Sequence, residues 1–375
     1  MNKLYSIIDE LKDVAQNPGT SVMKAMKATG KKAVGCFPIY TPEEIVYAAG
    51  ALPIGMWGGP AVGTLSNKYL QTFCCSVMKA NTEQALSGQY NCLSAVIMTT
   101  YCDTLKCVLE NWKIASPQLN IIPMVYPQNR RIEAGRLFLR EELIRIKHEL
   151  EKVLDKEISY DAISCSVDLY DDYRKTMQEF TRISGNYPDL FDAVTRHLLI
   201  KAAYFMDKQE YIEKMEDILL EVKCLEPSKS KSKRIILTGL LAEPEEFLAL
   251  FSENDMIIVA DDLAQESRQF RVSSSENGDA FDKIVDRISR QDGCSFLYDE
   301  SKTRGQMLIN MKEEYNADAI VVCQMKFCDP EEFDYPIIKK ELDKAGVPIL
   351  HVEIEQQMDS VEQLRTRIQG FAEIL

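Results

Sequence analysis

Leu93-Ser94-Ala95-Val96-Ile97-Met98-Thr99-Thr100 carries no charge and runs straight into Tyr101-Cys102-Asp103. A short, continuous apolar run of this kind suits a strand buried on both faces, as in a parallel sheet. Working outward, Ala51–Trp57 (ALPIGMW) and Asn120–Tyr126 (NIIPMVY) repeat the pattern, with helical stretches over Thr41–Gly50 and Val77–Ser87 between them. Pro42 reads as an N1 proline behind a Thr41 cap. Runs alternating with helices predict strands that cross over into one parallel sheet. The arrangement recurs in Arg234–Gly239, Met256–Ala260, Ala317–Cys323 and Val347–Val352. Between the two sets, residues 130 to about 203 read as helical, with charged i,i+4 spacing in REELIRIKHELEKVLDKE and a second helix in VDLYDDYRKTMQEFTRI. Pro227-Ser-Lys-Ser-Lys-Ser-Lys233 reads as a solvated linker. The expected organisation is an α/β chain with an N-terminal unit over 1–130, a helical bridge over 131–228 and a second α/β unit over 229–375.

A length of 375 residues exceeds the ~150 usual for one domain, in keeping with two cores. With 44 basic against 58 acidic residues the net charge is -14, which argues against nucleic acid and anionic membranes as partners. No run approaches the ~20 apolar residues of a membrane span. The opening MNKLYSIIDELKDVAQNPG lacks the basic start, apolar stretch and small-residue cleavage site of a secretory signal, and reads as an amphipathic helix stopped by Asn17-Pro18-Gly19. Eleven cysteines against three histidines are too dilute for a disulfide scaffold. A cytoplasmic setting with reduced thiols is the expectation.

No GxxxxGK[ST], GxGxxG, HExxH or GxSxG signature occurs. His148, His197 and His351 fall in a charged helix, an apolar helix and a strand, where structural roles are expected. The cysteines are better placed. Cys102 and Cys328 each follow an apolar run, putting them at the carboxyl ends of parallel strands, where open α/β sheets bind ligands. Cys74 and Cys75 stand at the start of a helix, whose amides favour a thiolate. The three segments are expected to converge in a crevice between the sheets. Thiolates from such distant loops suit a soft metal, and an iron-sulfur cluster fits at least as well as zinc. Spacing alone does not decide, since there is no CxxC pair and the step from Cys102 to Cys107 is weak. Cys92, Cys165, Cys224 and Cys294 read as core or incidental thiols. Asp261-Asp262, Asp103 and Asp329 read as helix caps.

Several motifs point to a family. They are Gly35-Cys-Phe-Pro-Ile-Tyr-Thr-Pro-Glu-Glu44, Ala48-Ala-Gly50 with Pro53, Cys75-Ser76, Cys102-Asp-Thr-Leu105, Tyr126-Pro-Gln-Asn-Arg130, Ala260-Asp-Asp-Leu-Ala-Gln-Glu-Ser-Arg268 and Met325-Lys-Phe-Cys-Asp-Pro-Glu-Glu-Phe-Asp-Tyr-Pro336. Over essentially the whole chain they resemble the 2-hydroxyacyl-CoA dehydratase family, and its β subunits in particular. The resemblance implies a heterodimer, or a dimer of heterodimers, with a homologous α subunit. Each subunit would hold a 4Fe-4S cluster through three cysteines in a cleft between flavodoxin-like domains. By motif position these are Cys75, Cys102 and Cys328, with Cys74 and Cys323 as open neighbours. A fourth cluster ligand and a flavin in the complex are left open.

The family chemistry explains the cluster. Dehydrating a 2-hydroxyacyl-CoA removes a β-hydrogen that the thioester does not acidify, so a general base near neutrality is badly matched. One electron on the thioester carbonyl gives a ketyl radical anion that expels the hydroxyl, and the resulting enoxy radical has a far more acidic β-hydrogen. The resemblance implies an anaerobic, amino-acid-fermenting setting and a separate ATP-dependent iron-sulfur activator, which agrees with the missing P-loop. It assigns the 2-hydroxyacyl-CoA mainly to the α subunit and an electron relay to this chain. The alternatives are the substrate-binding subunit itself, a benzoyl-CoA reductase-type subunit, or a non-catalytic zinc assembly module. The acyl group, whether isocaproyl, glutaryl or aryl, stays open.

Overall fold

The computed structural model describes residues 2–61 and 63–375. Helix α1 (Asn2–Gln16) buries Leu4, Ile8, Leu11 and Ala15 along one face, the spacing of an amphipathic helix. Asn17 interrupts it, and Pro18 opens a further helix, α2 (Pro18–Thr29), closed by Gly30 at φ 68. The first sheet follows. Its elements are β1 (Ala33–Cys36), α3 (Glu43–Ala48), β2 (Leu52–Gly55), α4 (Ser76–Leu86), β3 (Leu93–Thr99), α5 (Asp103–Ala115) and β4 (Ile121–Met124). All pairings are parallel and the order is β2-β1-β3-β4.

Four helices come next: α6 (Glu133–Leu154), α7 (Tyr160–Ser184), α8 (Ala193–Ala202) and α9 (Lys208–Val222). Helix α6 covers the first sheet through Leu139, Leu143, Ile146 and Leu150, while α7 touches both α3 and the second sheet. Helix α7 thus packs on elements of both sets. Residues 226–232 have no regular structure and most are exposed, in line with a solvated linker.

The second set is β5 (Lys233–Gly239), α10 (Glu245–Glu253), β6 (Met256–Leu263), α11 (Ser267–Phe270), α12 (Ala280–Ser289), α13 (Arg304–Glu314), β7 (Ala319–Met325), α14 (Asp329–Lys344), β8 (Ile349–Ile354) and α15 (Glu362–Ile374). It too is all parallel, in the order β6-β5-β7-β8. The two sheets thus share one strand order. In each, the crevice opens between the first and third strands of the set, where the connections diverge to opposite faces. A single apolar core runs between them, from Phe37, Met98 and Trp112 to Leu240, Met325 and Ile354.

Several local expectations are corrected. Strand β1 was not legible as a run of its own. Pro42, not Thr41, is the cap of α3. Asp261 and Asp262 lie inside β6 rather than after it, and their carboxylates serve arginines and loop amides. Asp103 and Asp329 are first-turn residues, because the caps of α5 and α14 are Cys102 and Cys328.

Candidate metal centre between the facing sheet edges

Cys75, Cys102 and Cys328 each occupy the cap position of a helix: α4, α5 and α14. The positive end of a helix dipole lies beside each of them, though only Cys102 accepts a cap hydrogen bond on its sulfur. The Leu105 amide donates to Cys102 Sγ at 3.4 Å. All three cysteines line one cavity of about 500 Å3, its open mouth included. Pro38 and Ile39, following β1, and Leu240, following β5, complete the ring of strand ends, so both sheets contribute their switch-point crevices to the same space. Val77, Leu105, Phe296 and Phe327 make the wall mainly apolar.

Two turns at this edge are strained. Tyr40, just after β1, has φ 61, and Phe327, just after β7, has φ 64. Aromatic residues rarely adopt this left-handed region, at a cost of roughly 1–3 kcal/mol. At β7 the turn reverses the chain so that Cys328 can start α14, with its amide bonded to Met325 O.

The thiols respond unequally. A hydrogen bond from Cys74 holds Cys75 below the usual thiol value, with first-turn amides helping against burial, while Cys74 itself is pushed up. Burial pushes Cys102 up to about 11. It also raises Cys328, with Glu331 and the other two cysteines adding to the shift. Three mutually repelling thiolates in an apolar space need a positive group among them. Among the described residues, no three Cys, His, Asp or Glu side chains converge closely enough to hold one metal ion. The soft donor set, the apolar wall and the three helix starts fit a 4Fe-4S cluster.

The neighbours separate clearly. Cys74 is buried but does not line the cavity, and Cys323 lies inside β7. Cys107, Cys165 and Cys224 are exposed, Cys92 is half-buried, and Cys294 is buried 3.7 Å from an Arg268 nitrogen. His148 pairs with Glu151 on the surface, His351 stacks on Tyr335, and His197 is buried between Glu243 and Glu266.

Buried charge networks that escaped the sequence reading include two around Asp262 and Glu243. Asp262 accepts from Arg268, Arg271, Arg304 and Thr238, while Glu331 accepts from Arg268, Arg304 and Ser295. This lattice lies directly behind Cys328, on the first turn of α14. The second joins His197, Lys201, Gln265 and Gln356 to Glu243. The only sequence signal was the density of charge in Ala260–Arg268.

The sequence model for the 2-hydroxyglutaryl-CoA dehydratase D-component matches residues 38–375. The chain belongs to this family. Dehydratase β subunits match it from end to end. The β subunit of (R)-phenyllactyl-CoA dehydratase from Clostridium sporogenes is 40% identical over 375 residues, covering 100% of both chains. The β subunit of lactoyl-CoA dehydratase from Anaerotignum propionicum is 43% identical over 380 residues, again 100% of both. The β subunit of (R)-2-hydroxyglutaryl-CoA dehydratase from Acidaminococcus fermentans is 34% identical, over 99% of this chain and 100% of that one. This dehydratase chain is a β subunit of a 2-hydroxyacyl-CoA hydro-lyase and works with a partner subunit. Dehydratases of the family carry a 4Fe-4S cluster. No helix among the described residues is long and apolar enough to cross a membrane.

Proposed function

We propose that Cys75, Cys102 and Cys328 hold a 4Fe-4S cluster, and that this β subunit relays an electron from an ATP-dependent activator to its partner subunit. There an (R)-2-hydroxyacyl-CoA loses water. One observation carries the reading: three helix-capping cysteines from two sheets share one apolar cavity. When bound, the cluster supplies one-electron transfer. The chain's own residues do the rest. Three helix starts favour negative charge on the sulfurs, against the burial that raises Cys102 and Cys328. Leu240, Phe296 and Phe327 keep water off the site, and strands on both sides fix the loops.

The strand order β2-β1-β3-β4, repeated as β6-β5-β7-β8, supports two flavodoxin-like domains, divided as 1–130 and 229–375 with a helical bridge over 131–228. The three relatives are named for phenyllactyl, lactoyl and 2-hydroxyglutaryl groups. Such different acyl groups on similar β subunits favour a relay over a substrate pocket. Anaerobic co-purification with the partner subunit tests the reading. Brown protein with broad absorbance near ~400 nm and bound iron is expected. Colourless protein with stoichiometric zinc overturns it.

A further inference from the structure

The cavity draws Cys75 from one sheet and Cys328 from the other, so the site holds its shape only if the two sheets keep their spacing. Ser76 and Gln356 sit at that junction. Ser76 is the first residue of α4, next to Cys75, and is buried. Its hydroxyl makes no bond within its own helix. Instead it donates to Met325 Sδ at 3.1 Å, at the end of β7 and three residues before Cys328. It also accepts the backbone N–H of Gln356 at 3.0 Å.

Gln356, in the loop after β8, is buried as well. Its side-chain amide donates to Trp57 O at 2.8 Å and to Glu243 Oε2 at 2.7 Å, and accepts from Gly59 N at 3.3 Å. The loop after β2 closes tightly around it. A Cβ on Gly58, which has φ 81, would stand 2.4 Å from Gln356 Oε1. Glu243 is anchored in turn by Lys201 at 2.5 Å. Ser76, Gln356 and Glu243 are buried and matched, so removing one leaves the others without partners.

We propose that Ser76 and Gln356 are positioning residues: a hydrogen-bonded pin between the sheets that sets the spacing of Cys75 and Cys328 and so the stability of the cluster they hold. This rests on the cluster reading above. It gives the serine of the Cys75-Ser76 pair a role that metal ligation does not.

The test uses the complex of this chain with its partner subunit, purified without oxygen. Iron release to an excess ferrous chelator is timed, and the electron paramagnetic resonance spectrum of the reduced protein is recorded. S76A and Q356A are expected to release iron about tenfold faster than the wild type, the usual size of a second-layer effect on metal binding. Their spectra should also shift, while S76T, which keeps the hydroxyl, behaves as the wild type. V259A, a core truncation in β6 on the far face of the second sheet, controls for general loosening. Wild-type complex without iron would overturn the cluster reading itself. Iron-loaded wild type, with S76A releasing iron no faster than V259A or S76T, would overturn the pin alone. The S76A and S76T pair decides even if Q356A does not fold.

Discussion

In the first sheet, the helices that follow β2 and β3 begin at Cys75 and Cys102. In the second sheet, with the same strand order, only the helix after β7 begins at a cysteine, Cys328. Cys102 and Cys328 hold equivalent places, each capping the helix after the third strand of its set. No equivalent of Cys75 occurs. The space behind the second sheet's edge holds the buried lattice of Asp262, Arg268, Arg304 and Glu331 instead. One topology therefore serves two ends. The first sheet offers sulfur and an apolar wall, while the second offers one sulfur on a rigid ionic base.

Several measurements would break or sharpen this contrast. The largest effect should be on iron. C102S and C328S are each expected to lose most bound iron, and C165S none, because only the first two line the cavity. Serine caps a helix at least as well as cysteine, so the metal-free C102S protein should unfold no more easily than the metal-free wild type. Equal iron in C102S and C165S would remove the equivalence of the two sheets.

Next in size is the ionic base. D262A leaves Arg268, Arg271 and Arg304 facing an empty position and should cost about 3–5 kcal/mol in denaturant unfolding. Burial pushes Asp262 and Glu331 up, but the surrounding guanidiniums more than offset it and hold both carboxylates below their ordinary range. Their contribution is complete above about pH 4.3 and fades as pH falls through the folded values. Hydrogen exchange should then show β5–β8 loosening in acid before β1–β4. The reverse order would contradict the lattice.

His197 has the opposite sign. Burial opposes its charge, but Glu243 and Glu266 raise it above the usual value. Its contribution is complete below about pH 6.5 and fades as pH climbs through the folded value. The wild type should lose stability over that rise, and H197Q should not. The smallest effect belongs to Asp279, which closes a capping box with Asp282 on α12. D279A should cost about 1 kcal/mol and leave iron unchanged.

Most strands were legible because their apolar runs are long and uncharged. Strand β1 is four residues with a glycine, hemmed by Lys31-Lys32 and Phe37-Pro38, and its central place comes from pairing with β2 and β3 rather than from its own pattern. Cys102 and Cys328 stood out because they follow strand-like runs, and Cys75 because it stands at a helix start. That Cys102 and Cys328 are themselves caps did not stand out, since thiols lie outside the usual capping set and carboxylates sit beside them at Asp103 and Asp329. Arg130, Arg174, Arg196 and Arg268 are among the largest fully buried side chains. Their burial is not marked locally. Arg196 meets Asp261 and Glu266, and Arg130 meets Ile288 O, partners that only the tertiary fold brings near.

Cys102 and Cys328 lie roughly 226 residues apart along the chain. On the proposed ligand set, a single inorganic group gripped by both would be a staple as well as a redox centre. Closing a loop of ~200 residues restrains the unfolded chain by roughly 5 kcal/mol on the entropy scale used for cross-links. On that reading, stripping the iron would unfasten the two sheets, and air, by destroying the cluster, would act on this protein as a reducing agent acts on a disulfide-bonded one.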